Sequence, residues 1–277
     1  MINLKPYPDN IHQVFTEAVL RKKDTALKAR LDSITLDVVR CYNSYKEYFE
    51  KNQLELLAAD AVCAKSQNDL RILYSFKSKV IKDLKRKIDD VQLNIISNTC
   101  QNCTINSVNT MDHVLGQALF PEHAVNPLNL FPSCGECNGY KSDTLVKDGK
   151  RKFLNLYLDN LPEKQYLFVD IDRDINNDLQ WSFNIENRNG LDKDLFNLIK
   201  THYESLYLQK RMRVKSIKYV TELINSINVR RANLSLDKIC EEVTKTAEEN
   251  RKVLGYNHFQ YILETSLVQS DDFLNIV

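Results

Sequence analysis

Apolar residues recur at helical spacing over most of the chain. Between residues 10 and 50 they fall at Ile11, Val14, Phe15, Val19 and Leu20, then at Ile34, Val38, Val39 and Tyr42, which predicts amphipathic helix. A second such run covers 65–93 through Leu70, Leu73, Phe76, Val80, Ile81 and Leu84. The C-terminal third repeats the habit over 191–229, 235–253 and 257–269. Two stretches break the rhythm. Residues 166–171 (YLFVDI) and 180–185 (QWSFNI) are short and rich in β-branched and aromatic side chains, with the turn formers Asn176, Asn177 and Asp178 between them. They predict a β-hairpin. Glycine and proline number only six each, yet Gly116, Gly135, Gly139, Gly149, Pro121, Pro127 and Pro132 all lie between 116 and 149. Turns therefore concentrate in one central region. The pattern predicts a mainly α protein: a helical region over 1–96, a small irregular module at 97–145, a linker and hairpin over 146–190, and a second helical region over 191–277.

Composition adds exclusions. Of 277 residues, 43% are apolar and 27% charged, as in ordinary globular proteins. No stretch approaches the roughly 20 apolar residues of a membrane span, and the start lacks the charged-then-apolar layout of a secretory signal. A cytoplasmic protein with reduced thiols is expected. The net charge of +1 advertises no polyanion partner, so local patches must decide binding.

Seven cysteines then change the picture. Cys100-x-x-Cys103 and Cys134-x-x-Cys137 are two knuckles separated by 30 residues, the spacing of a tetrahedral zinc site. Four thiolates leave no open position, so zinc here would be structural, stapling a loop-rich segment that has little core of its own. Cys41, Cys63 and Cys240 have no partner in sequence and read as buried thiols.

Between the knuckles stand Asp112-His113 and Asn129-Leu130, and after them Cys134-x-x-Cys137-Asn138-x-x-Lys141. On these residues the segment resembles the HNH endonucleases, whose ββα-metal module is a β-hairpin followed by a helix, closed in many members by a four-cysteine zinc. The run from Phe120 through Pro121 and Glu122 to Asn129-Leu-Phe-Pro-Ser-Cys134 is similar to one HNH subgroup, the nuclease components of bacterial anti-phage systems. The likeness is close over 97–145 and continues faintly through 156–159 to the helix near 200. It implies DNA cleavage, with RNA also open, and a nuclease serving as effector beside an ABC-type ATPase subunit.

The chemistry needs a base, a cation and a water. His113 is the candidate base, its imidazole half-ready at cellular pH. Asp112 and Asn138 offer hard oxygens suited to Mg²⁺ or Mn²⁺. The resemblance implies that Asn129 pins the loop and that Lys141 assists near the phosphate. Adjacent strand residues face opposite ways, so Asp112 and His113 converge only if the hairpin twists strongly or the site straddles its edge. Many relatives follow Asp-His with a hydrophobic residue and Pro-Lys; here Val114-Leu-Gly-Gln117 lacks that lysine, which implies a weaker grip, another substrate strand or lower activity. His123 reads as packing, and His12, His202 and His258 as ordinary helix histidines.

Two basic clusters offer phosphate contacts: Lys82, Lys85, Arg86 and Lys87 within 77–87, and Arg211 and Arg213 within 210–218. Each taken alone reads first as a solvated helix face, and the first, which feeds directly into the zinc module, is the better candidate for phosphate. A second reading of the whole remains open: a non-catalytic zinc module that binds nucleic acid or protein.

Overall fold

The computed structural model describes residues 1–142, 145–147 and 150–277. Positions 143–144 of the central module and positions 148–149, including Gly149, lie outside them. The protein is mainly α with small antiparallel hairpins, as the periodicity predicts. It packs as two units. One comprises Asn3–Asn102 and Asn106–Asn160; the other comprises Leu161–Val277 with Met1–Ile2 and Cys103–Ile105. The division near 160 falls inside the expected 146–190 linker, so its first third belongs with the strands Thr110–His113 and Leu130–Ser133 and the helix after them, and the later hairpin belongs with the C-terminal helices.

In the first unit, the apolar run over 10–50 becomes three helices, α1 (Ile11–Leu20), α2 (Thr25–Ser33) and α3 (Thr35–Glu50). The break after α1 is made by Asp24, whose side chain accepts from the Leu27 amide and so starts α2 afresh. On α3, Val38, Tyr42, Tyr45 and Phe49 form one buried seam at helical spacing, joined by Cys41. Each such burial is worth roughly 1.5–3 kcal/mol.

The run over 65–93 is likewise interrupted. Short α4 (Ala61–Lys65) and α5 (Gln67–Arg71) precede α6 (Lys79–Asp89). Leu73 is buried from a turn rather than a helix, and the Tyr74 hydroxyl donates to Met111 O at 2.7 Å, pinning this break to the central module. Ser78 then caps α6, which buries Val80, Ile81, Leu84 and Ile88 and turns its cations outward.

The module itself is a two-stranded antiparallel sheet, β1 (Thr110–His113) and β2 (Leu130–Ser133), in the register Asp112↔Phe131 and His113↔Leu130. Pro132 lacks an amide proton, tolerable in a two-stranded sheet where every strand is an edge. Helix α7 (Gly135–Lys141) follows directly, then a minimal pair, β3 (Val146–Lys147) with β4 (Lys150–Arg151). The Tyr157 hydroxyl donates to Leu130 O at 2.9 Å, and Arg151 pairs with buried Asp159 at 2.8 Å. Segment 151–159 is thereby fastened beside β2.

In the second unit, β5 (Leu167–Arg173) and β6 (Leu179–Ile185) form the expected hairpin, packed with helices α8 (Lys193–Ser205), α9 (Leu208–Arg230), α10 (Leu236–Leu254), α11 (Phe259–Val268) and α12 (Asp271–Leu274). The helical run over 191–229 is broken at Leu206–Tyr207, where Tyr207 is left-handed at φ 52°. Asn257 Oδ1 accepts from Tyr166 N and Leu167 N at 2.7 and 2.9 Å. Trp181 Nε1 donates to Ser216 Oγ at 2.7 Å. Among the described residues no helix is long and apolar enough to cross a membrane.

Candidate metal centre and candidate active site

The first knuckle is a tight turn. Cys100 N donates to Asn106 O at 3.0 Å and Val108 N to Asn98 O at 2.8 Å. Asn98 and Thr104 sit at positive φ (66° and 56°), a conformation that asparagine tolerates and that β-branched threonine adopts only where the surrounding turn holds it. The second knuckle opens α7, where the Cys134 sulfur caps the helix by accepting from Cys137 N at 3.4 Å. The Ile105 amide points to Cys103 Sγ at the same 3.4 Å. Such amides stabilise the negative charge a thiolate brings. All four sulfurs are buried, and they lie within 4.8 Å of one another. Cys100, Cys103, Cys134 and Cys137 thus form one cluster able to hold a structural zinc, closed by its own four ligands.

Asp112 and His113, neighbours on β1, go to different partners, as strand alternation requires. Asp112 is 4% exposed and meets Lys141 at the end of α7, Nζ to Oδ1 at 3.3 Å. The same ammonium donates to His113 O at 2.5 Å. Lys141 therefore ties α7 to β1 and already supplies a cation to the Asp112 carboxylate. A cavity of about 30 Å³ lies here, walled by Asn102, Asp112, Lys141, Phe153 and Asn155. That is room on the scale of one water or one small ion.

His113 has other partners. Its ring meets the Tyr74 ring edge-on at 4.6 Å, and Nε2 lies 2.9 Å from Ala124 O. A carbonyl only accepts, so Nε2 carries the proton and Nδ1 is the basic nitrogen. Asn138 stands one residue past Cys137 on α7 and is half-buried.

Asn129 is wholly buried and spends its amide on the loop between the strands. Oδ1 accepts from Leu115 N at 2.7 Å and from the Tyr45 hydroxyl at 3.1 Å. Nδ2 donates to Leu115 O and His123 O at 3.0 and 3.1 Å. His123 is a packing residue against Tyr45 at 4.6 Å, and burial pushes its pKa down to about 3. His12 stacks on Tyr42, and His202 is fully buried.

The basic clusters divide. On α6, Lys85 pairs with Asp89 at 2.6 Å, Arg86 approaches Asp83 at 3.5 Å, and Lys87 pairs with Asp9 at 2.7 Å. Lys82 is exposed. The α9 pair is unsuited to phosphate. Arg211 is buried at 9% exposure with Nη1 on Leu206 O, and Arg213 lies flat on Trp181 at 3.7 Å. Both guanidinium groups serve the packing of the C-terminal unit, which a count of basic residues does not reveal.

Sequence reading also missed the wall formed by Phe153, Leu154 and Asn155 over Asp112. It missed the meeting of Cys41 with Cys63 as well. Their separation of 22 residues gives no ligand signature, and only the packing of α3 on α4 brings them together.

Fold and site together define a class: a mainly helical protein with a two-stranded hairpin and short helix clasped by a four-cysteine cluster. In an alignment of 194 positions that covers 63% of the chain, it is 26% identical to Protein ea31 of Escherichia phage lambda. The match spans 62% of that protein. No family model and no solved structure matches the chain.

Proposed function

We propose that the protein is an HNH-type endonuclease that hydrolyses phosphodiester bonds of DNA. The observation that carries this reading is the order and packing of the module: hairpin, then helix, with Lys141 bound to Asp112 and the loop after the histidine-bearing strand fixed by Asn129. In this reading His113 takes a proton from water at Nδ1, since Ala124 O holds the other nitrogen as a donor. Asp112 and Asn138 present a carboxylate and an amide oxygen, a donor set that fits Mg²⁺ or Mn²⁺. A cation held there would supply charge to the scissile phosphate. Lys141 would exchange part of its contact with Asp112 for that phosphate. Exposed Lys82 on α6 is the best remaining candidate for a backbone contact.

A second reading, a non-catalytic zinc module that binds nucleic acid or a protein, draws support from the Lys141–Asp112 pair, which neutralises the carboxylate a catalytic cation would need. Plasmid nicking with Mg²⁺ or Mn²⁺, against EDTA, separates the two. The nuclease reading expects metal-dependent cutting that His113→Ala abolishes. The other expects binding without cutting, indifferent to Asp112→Ala. A role beside an ABC-type ATPase in anti-phage defence extends the first reading by analogy with the HNH subgroup.

A further inference from the structure

Away from the knuckles, a second group of metal-type donors assembles in the first unit. Cys41 on α3, Asp60 at the cap of α4 and Cys63 within α4 place their sulfur and carboxylate atoms within 4.8 Å of one another. Cys41 and Cys63 are 6% and 0% exposed. A further carboxylate, Glu122 of the turn Pro121–His123, lies beside this group but outside that shared spacing. Glu122 Oε1 accepts from Asp60 N at 3.2 Å, while Oε2 is buried and has no hydrogen-bond partner among the described residues. A carboxylate oxygen sealed from water without a donor is costly, and it calls for a cation or a proton to satisfy it.

We propose that Cys41, Cys63 and Asp60 form a second metal site, for a thiophilic divalent cation such as zinc, and that Glu122 moves in as the fourth ligand when the ion binds. Two sulfurs and two carboxylate oxygens make a four-coordinate set that zinc accepts and that magnesium or calcium does not favour. Asp60 is also held as a ligating carboxylate should be. Its Oδ1 accepts from Val62 N and Cys63 N, both at 2.9 Å, and its Oδ2 from Arg40 at 2.9 Å. These contacts fix the carboxylate, fill both acceptor positions of Oδ1, and leave one position on Oδ2 for an ion. Asp60 is half-buried where Cys41, Cys63 and Glu122 are buried, so the ion enters from its side. The site joins α3, α4 and the turn that leads to Ala124, whose carbonyl orients His113. It acts as a structural brace for the candidate base, independent of whether that base cuts DNA.

The test uses the full chain, reduced, stripped of metal and titrated with zinc and separately with cobalt(II). Bound metal is counted by elemental analysis after gel filtration. Two ions per chain are expected for the wild type and one for Cys41→Ser/Cys63→Ser, with cobalt–thiolate charge-transfer absorption falling in proportion. Glu122→Gln keeps the bond to Asp60 N and should weaken only the second equivalent, by more than the roughly 10–100-fold lost with outer-shell partners. Because the double variant alters the core, the wild type is also alkylated with and without zinc, and protection of Cys41 and Cys63 by zinc is expected. One ion per chain in the wild type overturns the proposal, as do two in the double variant or equal alkylation with and without zinc. A Cys41–Cys63 disulfide whose reduction restores no second metal equivalent also overturns it.

Discussion

Replacing Asn129 by alanine tests the claim that one buried amide holds the loop between β1 and β2. The wild-type side chain makes four hydrogen bonds at 2.7–3.1 Å. Two of its partners have alternatives: Tyr45 also reaches Leu128 O at 3.4 Å, and His123 O also receives Asn126 N at 3.2 Å. Leu115 N and Leu115 O have no other partner among the described residues. Two orphaned buried groups at about 1–3 kcal/mol each give a loss of about 4 kcal/mol. Hydrogen exchange reads this directly. The Leu115 amide should exchange roughly a thousandfold faster in Asn129→Ala, since each 1.4 kcal/mol is a factor of ten. Asn129→Asp keeps the acceptor for Leu115 N but turns an oxygen toward the Leu115 and His123 carbonyls, so it should be no milder. Exchange within tenfold of wild type in Asn129→Ala, or a neutral Asn129→Asp, would refute the reasoning.

Other perturbations address the rest of the account. Lys141→Met removes the ammonium paired with the buried Asp112 carboxylate and should cost about 3–5 kcal/mol in denaturant unfolding; adding Asp112→Asn should restore much of it, and additive losses would deny the pairing. Chelating zinc should release the four knuckle thiols to alkylation and melt the β1–β2 hairpin, seen by mass mapping; knuckles that stay protected without metal would oppose a structural role. His258, whose pKa burial pushes down to about 3, stays neutral when folded and titrates near 6.5 when unfolded. Its contribution is thus intact above pH 6.5 and is lost as pH falls toward 3, by about 1.4 kcal/mol per unit. His258→Phe should flatten that slope in unfolding measured from pH 7 to 4, and an unchanged slope would reject the assignment.

What could be read from sequence follows from how local each signal is. The knuckles were legible because thiol spacing is itself the ligand geometry, and β5–β6 because aromatic and β-branched runs flank a turn cluster. Helix existence was legible from apolar period, but helix ends were not. Asp24 and Ser78 cap new helices inside runs that look continuous, and Tyr207 breaks another through its backbone, without glycine or proline. Side-chain direction was partly legible, since alternation on β1 sends Asp112 to Lys141 and His113 to Ala124. Long-range partners were not. Arg211 looks like a phosphate contact until its burial on the inner side of α9 is seen. The Cys41–Asp60–Cys63 group arises only when α3 and α4 pack.

The central claim is that His113 acts as the base of a metal-dependent nuclease, and supercoiled plasmid is its most direct test. Zinc-loaded wild-type protein should convert it to nicked or linear DNA in Mg²⁺ or Mn²⁺ and leave it intact in EDTA. His113→Ala, with zinc content and circular dichroism unchanged, should leave it supercoiled in every buffer. Cutting by His113→Ala at the wild-type rate, or cutting by the wild type that persists in EDTA, would contradict the account.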